Sequence, residues 1–144
     1  MISRYIETRG NQVKQILIDT NTYAAFKKNE AQAVKVFKTA AYIGINTVVL
    51  GELFCGFKGG NKEVINKTEL DQFLDSPRVN VIQIDEETAE FYARIYWDLK
   101  RNGKPVPAND LWVAASAMRH GLALFTYDEH FGNIDGLILH KGDL

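Results

Sequence analysis

Asp19, Glu52, Asp110 and Asp128 stand where a carboxylate is an odd choice for packing. Asp19 closes the apolar run ILID, Glu52 lies inside VVLGELFCGF, Asp110 opens DLWVAASA and Asp128 follows ALFTY. Four carboxylates gathered by a fold repel one another, by about 4 kcal/mol per close pair at an effective dielectric near 20, unless a cation offsets them. The pattern points to an acidic pocket suited to a divalent ion. Taken singly, each acid has an ordinary explanation: Asp19 and Asp128 as turn residues, Asp110 as a helix cap, Glu52 as a solvent-facing helix residue. Their joint placement shifts the balance. The other acids, among them Glu63, Glu69, Asp71, Glu86, Glu87 and Asp98, sit on polar helix faces or caps and read as solvated.

The remaining reactive residues are less informative. His120, His130 and His140 lack the close helical spacing of a metal-binding pair. His120, beside Gly121, reads as a helix C-terminal residue facing the dipole. His130 reads first as a turn or packing residue and second as part of a pocket rim. Phe91, Tyr92, Tyr96 and Trp97 recur at helical spacing, the pattern of a core or a subunit interface, and Trp112 and Phe125 read as core. The lone Cys55 has no disulfide partner and reads as a small buried thiol in a reducing compartment.

The elements that must position the acids follow from short apolar runs alternating with amphipathic stretches, which predicts an α/β domain built on a mainly parallel sheet between helical layers. Gln15–Asp19 is a strand covered on both faces. Thr20-Asn21-Thr22 starts a helix, and a second runs from about Ala31 to Ala40 with Val34, Phe37 and Ala41 on its buried stripe. A strand at Tyr42–Ile45 leads to a helix from Asn46 or Thr47 to the Gly59-Gly60 pair, with Glu52 in its middle. Lys62–Asp75 is helical and Pro77 ends it before the strand Val79–Ile84. Asp85 caps a helix that runs to about Asn102. The segment GKPVP is a stiff loop delivering Asn109 and Asp110 to the next helix, which stops at Gly121. Leu122–Thr126 is a short strand, a turn-rich loop follows, and Leu137–Leu139 adds an edge strand.

Composition bounds the class. The 144 residues are 46% hydrophobic, enough for one well-buried domain, here 15–144, with residues 1–14 read as a loose N-terminal arm. Lys+Arg 17 against Asp+Glu 18 leaves a net charge of -1, so no global field draws the chain to nucleic acid or membrane, and any polyanion must be held locally. No run approaches the ~18 apolar residues of a membrane span, and the first residues lack the apolar core of a signal peptide. These features predict a cytoplasmic protein with no membrane contact.

The segments ILIDTN, TVVLGEL, PVPANDLWVAASAM and LALFTYDEHF, in that order, resemble the four acidic motifs of PIN-domain nucleases, and most of all those of VapC-type toxins from toxin–antitoxin pairs. The resemblance runs from Ile16 to about Leu139. It implies a PIN-like three-layer α/β/α fold and a Mg2+-dependent (or Mn2+-dependent) endoribonuclease. It implies that Asp19, Glu52, Asp110 and Asp128 are the catalytic and metal-binding acids, with Asp19 and Asp110 the direct ligands. Asn21 and Thr126 take the polar positions that hold a carboxylate or a coordinated water. It further implies an RNA substrate, a cognate antitoxin and a homodimer. The arm before the first strand departs from the many members that begin almost at once.

Phosphodiester hydrolysis suits such a pocket, because Mg2+ prefers hard oxygen ligands and keeps positions for water and phosphate. Lys58, Lys104 and Arg119 are candidate rim cations from their closeness in sequence to the acids, with surface solvation as the competing reading. Two rivals remain at this stage. A strand ending in Asp19 also resembles haloacid dehalogenase-type phosphatases, whose sites need a second aspartate where Asn21 stands. A non-catalytic PIN-like binding module would keep the fold without the reaction, and the presence of all four acids argues against it.

Overall fold

The computed structural model describes residues 14–142. The N-terminal arm lies outside the described residues except for Lys14, which opens the first strand. The order is β1 (Lys14–Ile18), α1 (Thr20–Lys27), α2 (Ala31–Thr39), β2 (Ala40–Asn46), α3 (Thr47–Gly59), α4 (Glu63–Leu74), β3 (Val79–Ile82), α5 (Glu86–Arg101), α6 (Ala108–His120) and β4 (Ala123–Phe125). A 3-10 turn (Glu129–Asn133) and β5 (Leu139–His140) complete it.

All strand pairs are parallel, in the order β3-β2-β1-β4-β5. The chain builds outward from β1 to β2 and β3, then returns to the other side of β1 for β4 and β5. The strand order therefore reverses between β1 and β4, and the crevice beyond their carboxyl ends is where open parallel sheets bind ligands. Ile16, Leu17 and Ile18 are all fully buried, so helices cover both faces of the central strand, as its unbroken apolar run requires. Tight packing reaches Gly44 of β2, where a Cβ would lie 2.6 Å from Ile82 Cδ1 and 3.2 Å from a Leu17 methyl. Glycine is the residue that lets those neighbours meet.

Helix ends follow local chemistry. Asp85 caps α5, accepting from the Thr88 amide (2.8 Å) and hydroxyl (2.7 Å). These bonds, helped by Arg119, lower its pKa to about 2. Gly121 ends α6 in the left-handed conformation at φ 64°.

Several sequence expectations are corrected. There is no loop between α2 and β2: Ala40 pairs with Lys14 as the first strand residue. The buried face of α2 is Ala33, Val36 and Phe37, whereas Val34 is half-buried and Ala41 exposed. Ring stacking explains the rotation, because Phe37 packs on Phe26 at 4.4 Å and meets Phe73 and Phe125. β3 ends at Ile82, β4 spans only three residues, and β5 lies two residues later than expected. Cys55 is exposed rather than buried, since α3 turns only Val49 and Leu53 fully inward. Trp112 is half-buried and stacks on Tyr92 at 4.1 Å, tying α6 to α5, whereas Phe125 is full core. Among the described residues, no helix is long and apolar enough to cross a membrane.

Candidate active site

Asp19 leaves β1 in extended conformation and caps α1, so its position follows from the strand-to-helix turn itself. Its Oδ1 accepts from the Thr22 amide and the Thr22 hydroxyl, each at 2.9 Å. Its Oδ2 accepts from the Thr126 hydroxyl at 2.6 Å, and that hydroxyl oxygen accepts from the Asp128 amide at 3.0 Å. Thr126 thus stitches the end of β4 to the end of β1. Asp19 is only 7% exposed. Burial pushes its carboxyl above the usual range, the bonds from Thr126 and Thr22 oppose that, and the Asp128 charge adds to the rise.

Glu52 reaches the same crevice from α3. Its Oε1 accepts from the Thr20 hydroxyl (2.8 Å) and its Oε2 from the Asn109 amide (3.4 Å), so α1, α3 and α6 are tied together through one carboxylate. Asp110 lies in the first turn of α6, half-buried. Among the described residues no donor bonds to it. Burial raises its pKa, followed by the charges of Asp128, Glu52 and Asp19, with His130 acting the other way. Asp128 caps the 3-10 turn, its Oδ1 accepting from the His130 amide (2.9 Å) and facing His130 Nδ1 at 2.8 Å.

The other three acids named from the sequence therefore act on Asp110, and Asp128 also acts on Asp19. They do so at electrostatic distance: among the described residues, no three His, Cys, Asp or Glu side chains form a ready-made ion cage. The donor set is all carboxylate oxygen, the chemistry that Mg2+ or Mn2+ prefers. Among the described residues nothing bonds to either oxygen of Asp110, and Asp19 keeps lone-pair capacity on Oδ2.

Other assignments divide. Thr126 holds a carboxylate. Asn21 is exposed and bonds to no acid among the described residues, and its neighbours Thr20 and Thr22 do the holding. Thr22 was legible as the third residue after a helix cap, but Thr20 and Asn109 meet Glu52 only through the tertiary fold. His130 lies in the 3-10 turn, as its first reading allowed, and its side chain is 74% exposed and bonded to Asp128, so it does not serve packing. His140 is buried and His120 exposed. Arg119 is no rim cation, since it sits at the far end of α6 from Asp110, about 13 Å along the axis, and faces Asp85 and Glu87. Lys58 pairs with Glu63 at 3.1 Å and Lys104 is exposed. A cleft of about 420 Å³ adjoins the crevice, sharing Thr126 and Asp128 with it, while Asp19, Glu52 and Asp110 lie outside its lining.

The PIN domain family matches residues 16–137. The chain is 30% identical over 120 residues to Ribonuclease VapC4 of Mycobacterium tuberculosis, covering 83% of this chain and 90% of that protein. Among solved structures it is similar to VapBC2 from Rickettsia felis bound to a DNA fragment from their promoter. That match has TM-score 0.78 and 27% identity, and covers 89% of this chain and 98% of the other. DNA-bound VapBC from Salmonella typhimurium shares the fold, with TM-score 0.79 and 23% identity over 90% and 98% of the two chains.

Proposed function

The chain belongs to the PIN-domain family, and from that premise we propose that it is a divalent-metal-dependent endoribonuclease of the VapC toxin type. The observation that carries this reading is Asp110: a half-buried carboxylate with no hydrogen-bond donor, facing three further acids at the switch point of the sheet. A carboxylate partly withdrawn from water among like charges is held at a cost that a bound cation would offset.

Asp19 and Asp110 are the residues that would hold Mg2+ or Mn2+, with Glu52 and Asp128 completing the acidic wall. When bound, such a cation supplies charge neutralisation to the phosphodiester and acidity to the attacking water. The chain's own residues do the positioning. Thr22 and Thr126 lock Asp19, so its open lone pair on Oδ2 keeps one direction. Thr20 and Asn109 each donate to one oxygen of Glu52, which fixes the orientation of its carboxylate. Asp128 has Oδ1 engaged by His130 and, among the described residues, Oδ2 unbonded, so it is the acid suited to orient water and take its proton as the water oxygen attacks phosphorus, while the P–O bond to the leaving ribose oxygen breaks and that oxygen takes a proton from solvent.

By the same reading the chain pairs with an antitoxin protein and with a second copy of itself. The phosphatase alternative is disfavoured by the exposed Asn21, which puts no second carboxylate beside Asp19. Incubating the protein with single-stranded RNA and Mg2+, with and without EDTA and beside Asp110→Asn, tests the function. Cleavage that EDTA and the substitution both abolish is expected. Cleavage indifferent to both, or none by the wild type, would overturn it.

A further inference from the structure

Past Phe125 the chain runs through Thr126, Tyr127 and Asp128 and turns at once into the segment Glu129–Asn133. The cleft of about 420 Å³ opens there, with Tyr127, Glu129 and Gly132 contributed by this turn and Leu139 and Lys141 by β5 and its exit. Because Thr126 and Asp128 belong both to this lining and to the acidic crevice, whatever fills the cleft lies next to the group bound by the acids.

We propose that this cleft binds an unpaired RNA base adjoining the phosphodiester that is cut, stacked against Tyr127. The inference rests on the nuclease reading above and adds a substrate subsite to it. The volume falls within the range of small-ligand clefts, about 300–1,000 Å³. The Tyr127 ring stands nearly perpendicular to the ring of buried Phe125, with centroids 5.4 Å apart and planes at 74°. It is 40% exposed, so a ring of fixed tilt is accessible to a ligand.

The rest of the lining suits a base. Leu139, 2% exposed, closes the floor of the cleft. Glu129 offers an acceptor to a heterocycle edge. The Thr126 hydroxyl is already committed between Asp19 and the Asp128 amide. A Cβ at Gly132, also in the lining, would meet nothing within 4 Å. A net charge of -1 gives no general attraction for RNA, and stacking on an aromatic face is the sequence-tolerant way to hold a splayed single strand.

The test uses the full chain in an Asp110→Asn background, which keeps RNA intact, titrated in Mg2+ with labelled ten-nucleotide single-stranded oligoribonucleotides of differing base composition. Fluorescence anisotropy should show Kd rising about 5- to 150-fold in Tyr127→Ala and staying within about twofold in Tyr127→Phe. Gly132→Phe, which puts a bulky ring into the lining of the cleft and leaves Tyr127 in place, should reproduce the loss and decides the matter should Tyr127→Ala fail to fold. One abasic position in the oligonucleotide should weaken binding to the parent but not further weaken Tyr127→Ala. If the parent binds RNA and the folded variants bind equally well, as they would were the cleft filled by a protein segment, the base site is overturned and the nuclease stands. If the parent binds no RNA and the unsubstituted protein cuts none, both fall.

Discussion

A carboxylate that burial and like charges penalise gains stability when it is neutralised, and Asp110 is in that position. Its folded pKa lies above the unfolded value, so the folded state binds the extra proton. Stability is therefore highest below the ordinary carboxylate range and falls as pH rises through the raised pKa. In EDTA near neutral pH, Asp110→Asn should be more stable than wild type by about 0.5–2 kcal/mol, a rise of a few degrees in Tm by calorimetry. The same substitution should lower cleavage at least ~100-fold. A variant that is both less stable and fully active would contradict the role given to this residue. Thr126 is the opposite case, because its hydroxyl supports buried Asp19. Thr126→Val should cost about 1–3 kcal/mol in urea denaturation and reduce cleavage, with Thr126→Ser restoring both. The acids were legible because a charge inside an apolar run is costly wherever it packs. Thr20 and Asn109 were not, since a threonine at a helix start or an asparagine before an aspartate is an ordinary choice and their shared partner is remote in sequence.

Between elements, the working contact is a clasp at the start of α3. Asn46 is fully buried. Its Oδ1 accepts from the Val49 amide (2.9 Å), capping the helix that carries Glu52. Its Nδ2 donates to Ser116 Oγ (3.2 Å) and lies 3.4 Å from the Trp112 carbonyl on α6, the helix that carries Asp110. Asn46→Ala should destabilise by about 1–2 kcal/mol through the lost cap alone. It should also lower kcat more than it raises KM, because it loosens Glu52 against Asp110; unchanged kcat in a folded variant would show that the clasp is structural only. Element identity along the chain was readable from apolar period and cap residues. The α2–β2 junction was not: Ala40 and Ala41 suit a helix as well as a strand, and pairing with Lys14 chose the strand.

At the scale of the molecule, a nearly balanced charge means that RNA binding depends on few phosphate contacts. The slope of log K against log salt for a single strand should be shallow, about -1 to -2, as two or three neutralised phosphates give; a slope steeper than about -4 would reveal a basic surface absent from this account. Density at the sheet centre belongs to the same scale, and Gly44→Ala should cost about 1–3 kcal/mol by forcing Ile82, Leu17 and Leu122 apart. From residue order alone came the α/β class and the family resemblance, and the four acids were singled out there as candidates, because apolar period and misplaced charge are local properties of the chain. The order β3-β2-β1-β4-β5, the exposure of Cys55, the displacement of Arg119 from the rim, the threonines that hold Asp19 and Glu52, and the cleft beside Tyr127 came only with tertiary structure. Each depends on which distant segments meet, and that is decided by competition among packings of the whole chain rather than by any one stretch of it.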